Sequence, residues 1–447
     1  MSFLTDAERG IVPARVVRLG RDRAAEILDL DELVWSANPP PEYRRLAAES
    51  LDFGRTIGVE APAREAGGGP VLAAIASSSP FDLPVPGGRA PAAGLSWVGV
   101  RPDYRRRGFL RALIAQHFAD CRAAGEPLSL LFASEMSIYG RFGYGLAATG
   151  VKLRLAHGAR LRPLPAARPP VELRFETASW QAHGGTVESI DRQVAHGPAA
   201  RPGTAMHRLA GARRLELMGD PPPSPRLEPW RILIASRAGR PTGYALVRRD
   251  GKWDEAALPV GTATVRQFQA LDPASGHALW QELVNLDLVT TVVTPWLAPD
   301  DPLAAWLEDW RGARPTLVDR EYVRLVDLPA ALAARRYGAP IDLRLAVCDR
   351  LLADNNGVWR LRADPDGAEV AKTAELAADA VAVADAVADA VADVTLDIRD
   401  LGSLYLGGVG AAGLADAGLV VEGRPGAVAE LARAFGSVRA PGTPSLF

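Results

Sequence analysis

Read as apolar and polar positions, the first third of the chain alternates short strands with amphipathic helices. Residues 15–19 alternate with the period of two expected of a strand. A helical period runs from Asp22 to Leu33, Trp35 follows, and Asn38-Pro39-Pro40-Pro41 stops the helix. Residues 71–76 form an apolar run of strand length, and the Gly- and Pro-rich stretch 80–94 reads as a connection. Residues 95–100 are the next strand. After it, Leu110, Leu113, Ile114, His117, Phe118 and Cys121 share one helix face, which ends at Gly125 and Pro127. Residues 128–132 have the pattern of a buried strand.

The middle of the chain repeats this order. Residues 156–171, rich in Arg, Ala and Pro, read as a linker or solvated loop. A strand restarts at 172–175, and Pro221-Pro222-Pro223 breaks the chain again. Residues 231–235 and 244–248 are strands joined by a turn, 263–271 is a third, and Asp272-Pro273 caps a helix through Leu286. Residues 290–294 form another strand. From about Leu317 the last part begins, with a helix opened by Asp327-Leu328-Pro329 and strands at 343–348, 359–363 and 394–398. An Asp-Ala-Val repeat occupies 377–394 and reads as an insertion without function. A helix at 425–435 and a short tail close the sequence. The pattern gives an α/β (α+β) class and three regions, 1–157, 158–316 and 317–447.

Composition removes several classes. Lys and Arg number 51 against 53 Asp and Glu, for a net charge of −2, so nothing favours nucleic acid or an anionic membrane surface. No apolar run reaches membrane-spanning length, and the N-terminal residues lack a signal-peptide core, so a cytoplasmic protein is expected. Cys121 and Cys348 lie far apart, and the six histidines show no ligand spacing, so no metal is expected.

Chemistry concentrates in Ser96-Trp97-Val98-Gly99-Val100-Arg101-Pro102-Asp103-Tyr104-Arg105-Arg106-Arg107-Gly108-Phe109-Leu110. A strand, a turn with three arginines, a glycine and a helix follow one another. A helix N-terminus has unpaired N–H groups and partial positive charge, glycine permits close approach, and guanidinium groups donate in forks to phosphate. Together they describe a pyrophosphate cradle. It is neither G-x-G-x-x-G nor G-x-x-x-x-G-K-[ST]. The pattern V-x-V-x-P-x-x-R-R-R-G resembles the acetyl-coenzyme A site of the GNAT acetyltransferases, with Leu110 where that superfamily has a small residue. The second region has Asp272-Pro273-Ala274-Ser275-Gly276 at the corresponding place, without the arginines and with an acid, so it reads as a fold that does not hold the coenzyme.

Three further segments widen the resemblance: Ala133-Ser134-Glu135-Met136-Ser137-Ile138-Tyr139-Gly140-Arg141-Phe142-Gly143-Tyr144-Gly145, then Asp400-Leu401-Gly402-Ser403-Leu404-Tyr405-Leu406-Gly407-Gly408, and a terminal Phe447. With the cradle they resemble the Eis-type (enhanced intracellular survival) N-acetyltransferases. The resemblance implies two tandem GNAT-like domains followed by a sterol-carrier-protein-like domain, and a hexamer. It assigns acetyl-coenzyme A to Val98, Gly99, Val100, Arg105, Arg106, Arg107, Gly108 and Ser134, with Phe109 and Leu110 supplying backbone. It makes Tyr139 the general acid and the α-carboxylate of Phe447 the general base.

The implied chemistry is direct attack of a neutral amine on the thioester. A base removes the amine's proton, and an acid protects the leaving thiolate. A phenol, with a pKa near ~10, keeps its proton at neutral pH. A carboxylate of pKa roughly 3.5 becomes a stronger base when desolvated. Trp35 and Trp97 are expected at the acceptor pocket, with Asp29-Leu30-Asp31-Glu32 nearby, although Trp97 fits a core position equally well. Aminoglycosides, polyamines and protein lysines all fit as acceptors. Two other readings are a lipid carrier and an acetyl-coenzyme A sensor, each with a vestigial transferase domain.

Overall fold

The computed structural model describes residues 15–63, 69–166, 168–197, 200–205, 213–214, 227–376 and 392–443. Three sheets organise it. The first contains β1 (Arg15–Arg18), β2 (Ile57–Ala61), β3 (Val71–Val85), β4 (Gly88–Val100), β5 (Leu128–Phe132) and β6 (Gly145–Lys152). Its order is β1-β2-β3-β4-β5, then a strand from much later in the chain, then β6. Helices α1 (Ala24–Trp35), α2 (Pro41–Glu49) and α3 (Phe109–Ala123) accompany it, and α4 (Met136–Tyr139) follows β5. Of the apolar face expected of α3, Leu113, Ile114, His117, Phe118 and Cys121 are buried, while Leu110 is half-buried and Phe109 is buried in addition.

The stretch 80–94 is not a connection. It forms the outer half of a long β3–β4 hairpin, paired from Pro80↔Ala93 to Val85↔Gly88. Its prolines and glycines hide the strand period, yet Phe81, Leu83, Val85, Ala90 and Ala92 are buried in a core shared with the last domain. Gly87, at φ +65°, makes the tight turn. The hairpin is therefore an arm between domains, and tertiary packing overrides the local turn signals.

The second sheet contains β7 (Arg154–Ala156), β8 (Val171–Thr177), β9 (Arg231–Arg237), β10 (Arg240–Asp250), β11 (Gly261–Ala270) and β12 (Val289–Val293), in the order β7-β12-β11-β10-β9-β8. Its helices are α5 (Trp180–His196), α6 (Pro273–Val284) and α7 (Pro302–Trp306). Asp272 caps α6 as the sequence predicts, its carboxylate accepting from Ser275 N. The next strand, β13 (Thr316–Leu325), returns to the first sheet and lies between β5 and β6. Residues around Leu317 thus complete the first sheet before the last domain begins.

The third sheet has the order β16-β15-β14-β17-β18, with β14 (Ile341–Cys348), β15 (Gly357–Ala363), β16 (Ala368–Ala374), β17 (Val394–Asp397) and β18 (Val420–Glu422). Helices α8 (Leu328–Ala334), α9 (Ile398–Leu404), α10 (Ala411–Asp416) and α11 (Ala427–Phe435) pack with it. The Asp-Ala-Val repeat lies almost wholly outside the described residues. No described helix is long and apolar enough to cross a membrane.

Candidate functional site

Two strands part at the centre of the first sheet. Parallel β4 and β5 pair only from Ala92↔Leu128 to Gly94↔Leu130, although β4 continues to Val100 and β5 to Phe132. On the other side of β4, register shifts between Ile75 and Ser77, so Ala76 faces both Trp97 and Val98. Trp97 sits at φ +55° in this bulge. Gly99 and Val100 resume pairing with Ile75 and Ala74. Sequence reading misses the bulge, because no glycine marks it.

The chain then turns through Arg101-Pro102-Asp103-Tyr104 into the head of α3. Gly108 is left-handed, at φ +83°, and carries no side-chain cap. Arg106 is also left-handed, at φ +63°. Arg105 and Arg106 are exposed and join no ion pair among the described residues. The Arg107 guanidinium lies over the Tyr104 ring at 4.8 Å. Tyr104 is buried and donates to the Pro62 carbonyl at 2.7 Å. Phe109 stacks 6.4 Å from Tyr104, while Leu110 is half-buried. The basic turn thus stands on a packed aromatic base, with an open positive helix end. These residues fit an anionic pyrophosphate.

The corresponding turn of the second domain has an acid in place of the arginines. Asp272 accepts from both Ser275 N and Ser275 Oγ at 2.9 Å and lies 3.4 Å from Arg237. Its own carboxylate occupies the helix end. Behind it lies a cavity of about 770 Å³ lined by Gln267, Phe268, Trp280, Trp296, Trp306 and Thr443, among others.

Beyond β5, Ser134 is exposed and Tyr139 ends α4. Burial raises the Tyr139 phenol to about 12, and Glu135 adds to the rise. Its ring meets Tyr144 edge-on at 6.0 Å. Tyr144 is fully buried, and Ser129 Oγ lies 2.7 Å from both its hydroxyl and His117 Nε2. Burial, assisted by Arg55, lowers His117 to about 3, so this imidazole is neutral. The segment around Gly140 and Gly143 is a helical turn, with Gly143 at φ +82°. Phe142 and Tyr144 pack in the core.

Trp35 and Trp97 border the same cavity. Asp31, Glu32, Arg44 and Ser96 also line it, and its volume is about 340 Å³. Trp97 also packs against the core cluster that contains Leu19, Ile27 and Ile75. Arg44 pairs with Glu32 at 2.6 Å and with Asp29. Asp31 has no ion-pair partner among the described residues, and burial with Glu32 nearby raises it to about 6. It is ionised at neutral pH. Phe447 and the penultimate Leu446 lie outside the described residues. The described tail ends at Thr443, whose carbonyl accepts from Arg320 at 3.1 Å. Arg320 lies over the ring of Phe132, the last residue of β5. No group of three His, Cys, Asp or Glu among the described residues could hold a metal.

Comparison with known proteins agrees with this architecture. Residues 15–147 match an acetyltransferase (GNAT) domain, residues 197–325 a second acetyltransferase (GNAT) domain, and residues 328–444 a sterol carrier protein domain. An "uncharacterized N-acetyltransferase" of Streptomyces coelicolor is 35% identical over 411 residues, covering 91% of this chain and 93% of that protein. The N-acetyltransferase Eis of Mycobacterium tuberculosis is 32% identical over 362 residues, covering 79% and 80%. Among solved structures, Eis1 of Mycobacterium abscessus superposes with a TM-score of 0.75 at 28% identity, covering 98% of this chain and all of that one.

Proposed function

The chain belongs to the Eis-type family of GNAT N-acetyltransferases, and from that premise we propose that it moves an acetyl group from acetyl-coenzyme A to a primary amine of a cationic small molecule or a lysine. The observation that carries the proposal is the uncapped, left-handed Gly108 behind Arg105–Arg107, beside the parted ends of β4 and β5. Those residues hold the coenzyme's pyrophosphate through backbone N–H groups and guanidinium donors. Val98, Gly99 and Val100 supply one wall, and Ser134 follows the other strand.

Tyr139 acts as general acid. A phenol raised to about 12 is protonated across the physiological range and can donate to the departing thiolate. The α-carboxylate of Phe447 takes the amine's proton. From Thr443 four residues reach no further than about 14 Å, which bounds where that carboxylate can act. The acceptor sits against Trp35 and Trp97, with ionised Asp31 attracting a second cationic group. The second domain, with Asp272 in place of the arginines, does not share the coenzyme's work.

The test is acceptor-dependent release of coenzyme A from acetyl-coenzyme A, with aminoglycosides, polyamines and lysine peptides as acceptors. Protein ending at Phe447 should turn over, and protein truncated after Thr443 should bind coenzyme without turnover. Full turnover by the truncated protein removes the carboxylate from the mechanism. Absence of coenzyme binding by either protein sinks the assignment of Arg105–Gly108.

A further inference from the structure

The tail before Thr443 is held unusually completely. Ala440 donates its N–H to Asp300 Oδ2 at 3.0 Å, and its carbonyl accepts from Arg201 at 3.0 Å. Arg201 and Asp300 are themselves an ion pair, so one pair of opposite charges grips both polar groups of one peptide residue. Two residues on, Gly442 N–H donates to the Pro202 carbonyl at 2.9 Å, and Thr204 Oγ1 donates to the Gly442 carbonyl at 3.1 Å. At Thr443 the Arg320 guanidinium takes over, donating to the carbonyl at 3.1 Å and to Oγ1 at 3.4 Å.

Packing fixes the same residues. A Cβ on Gly442 would lie 2.7 Å from Arg201 Cδ, so the approach requires glycine. Pro441 lies against Gly408, where an added Cβ would come within 2.9 Å of its ring. The clamp is anchored in turn, because Gly203 N–H donates to the Pro84 carbonyl of the β3–β4 arm at 2.9 Å. Arg320 is buried between the rings of Phe132 and Trp296, at 4.8 and 5.4 Å. Residues of the second and third regions therefore close on four residues of tail, and the first region braces the clamp through Pro84 and Phe132. Yet those residues belong to no sheet or helix and contribute little to any core.

We propose that Arg201, Asp300, Thr204 and Arg320 are positioning residues for acetyl transfer, and that holding residues 440–443 is a task of the coenzyme-free second domain, shared with Arg320 of β13. The inference rests on the assignment of the general base to the terminal carboxylate. A base on a free tail would sample many positions, and a fixed one keeps reacting atoms near attack geometry. The clamp acts through the terminus and touches no substrate.

Two measurements test it on the full chain. Carboxypeptidase digestion followed by intact mass reads how firmly the terminal residues are held. Steady-state kinetics separates kcat from KM. Asp300→Ala and Arg320→Met should speed loss of residues 444–447 at least tenfold. They should also lower kcat at least tenfold, with KM for acetyl-coenzyme A unchanged. Arg201→Lys keeps a donor for the Ala440 carbonyl and a partner for Asp300, and should restore most of what Arg201→Ala loses. Asp300 is partly exposed, so its variant tests the clamp even if the buried Arg320 variant folds poorly. Equal digestion of wild type and Asp300→Ala overturns the clamp. So does lost protection with unchanged kcat, provided truncation after Thr443 abolishes turnover. If truncation leaves turnover intact, the base assignment has failed instead, and the clamp's catalytic role falls with it.

Discussion

One nitrogen of Arg324 donates to both carboxylate oxygens of Asp349, at 2.8 and 2.6 Å, with both side chains essentially inaccessible to water. The pair joins β13 of the first sheet to the loop after β14 of the third. Asp349 also accepts from Leu351 N, Leu352 N and Asn355 Nδ2. Arg324 underlies the Tyr139 segment, because a Cβ on Gly143 would lie 2.9 Å from its guanidinium. Removing one partner strands a buried charge, a loss of about 3–5 kcal/mol. Asp349→Ala should therefore lower unfolding free energy by that amount in urea titration. The double variant Arg324→Met/Asp349→Leu should lose markedly less, and equal losses would exclude the stranded charge as the cause.

Tyr139→Phe removes the proposed acid and leaves the ring that packs on Tyr144. The expected fall in kcat is about 10²–10⁴-fold, with coenzyme affinity within roughly twofold of wild type. Burial raises the phenol, so its proton is present below a pH of about 12 and lost above it. The wild-type rate should then show no alkaline decline from this group up to pH 10. A variant as fast as wild type would move the acid elsewhere.

Gly108→Ala places a Cβ at φ +83°, where an L-residue is strained by roughly 1–2 kcal/mol. Coenzyme affinity, measured by calorimetry, should weaken about tenfold as the turn relaxes. Arg105→Gln and Arg106→Gln should weaken it with a shallower salt dependence, since each removes an exposed charge. Asp272→Ala in the second domain should lower stability by about 1 kcal/mol through the lost cap and leave affinity unchanged. An affinity change there would return the coenzyme to the second domain.

Much of this was legible in the residues. The cradle was, because Val98, Val100, Arg105–Arg107 and Gly108 encode a strand, a charge cluster and a left-handed turn locally. The Asp272 cap was legible for the same reason. The β3–β4 arm was hidden, since Pro80, Pro84, Gly87 and Gly88 signal a loop, and only burial against the last domain makes it a strand. The placement of β13 was hidden too, because pairing with β5 and β6 is non-local and leaves no periodic mark. Arg201, Asp300 and Arg320 carried no signal at all. They converge on the tail from positions 119 residues apart, and ordinary arginines and aspartates give no hint of such a meeting.

Glu321 marks where this non-local pairing creates an unusual group. It neighbours Arg320 on β13, opposite Phe132 and Ala148, and is fully buried. Neither carboxylate oxygen has a hydrogen-bond partner among the described residues. A Cβ on Gly203 would come within 2.5 Å of one of them, so the clamp backbone closes over it. Burial raises Glu321 from 4.5 to about 8, against a smaller opposing pull from Arg320. The native state therefore keeps a proton between those values that the unfolded state has released. Stability from this group is full below pH 4.5 and lost as pH rises to about 8. Glu321→Gln keeps the shape and neutrality at every pH. Urea unfolding at pH 6 and pH 9 should show wild type losing stability across the interval, with a smaller loss in the variant. Parallel pH dependence in the two proteins would mean that Glu321 is ionised in the fold and finds its partner elsewhere.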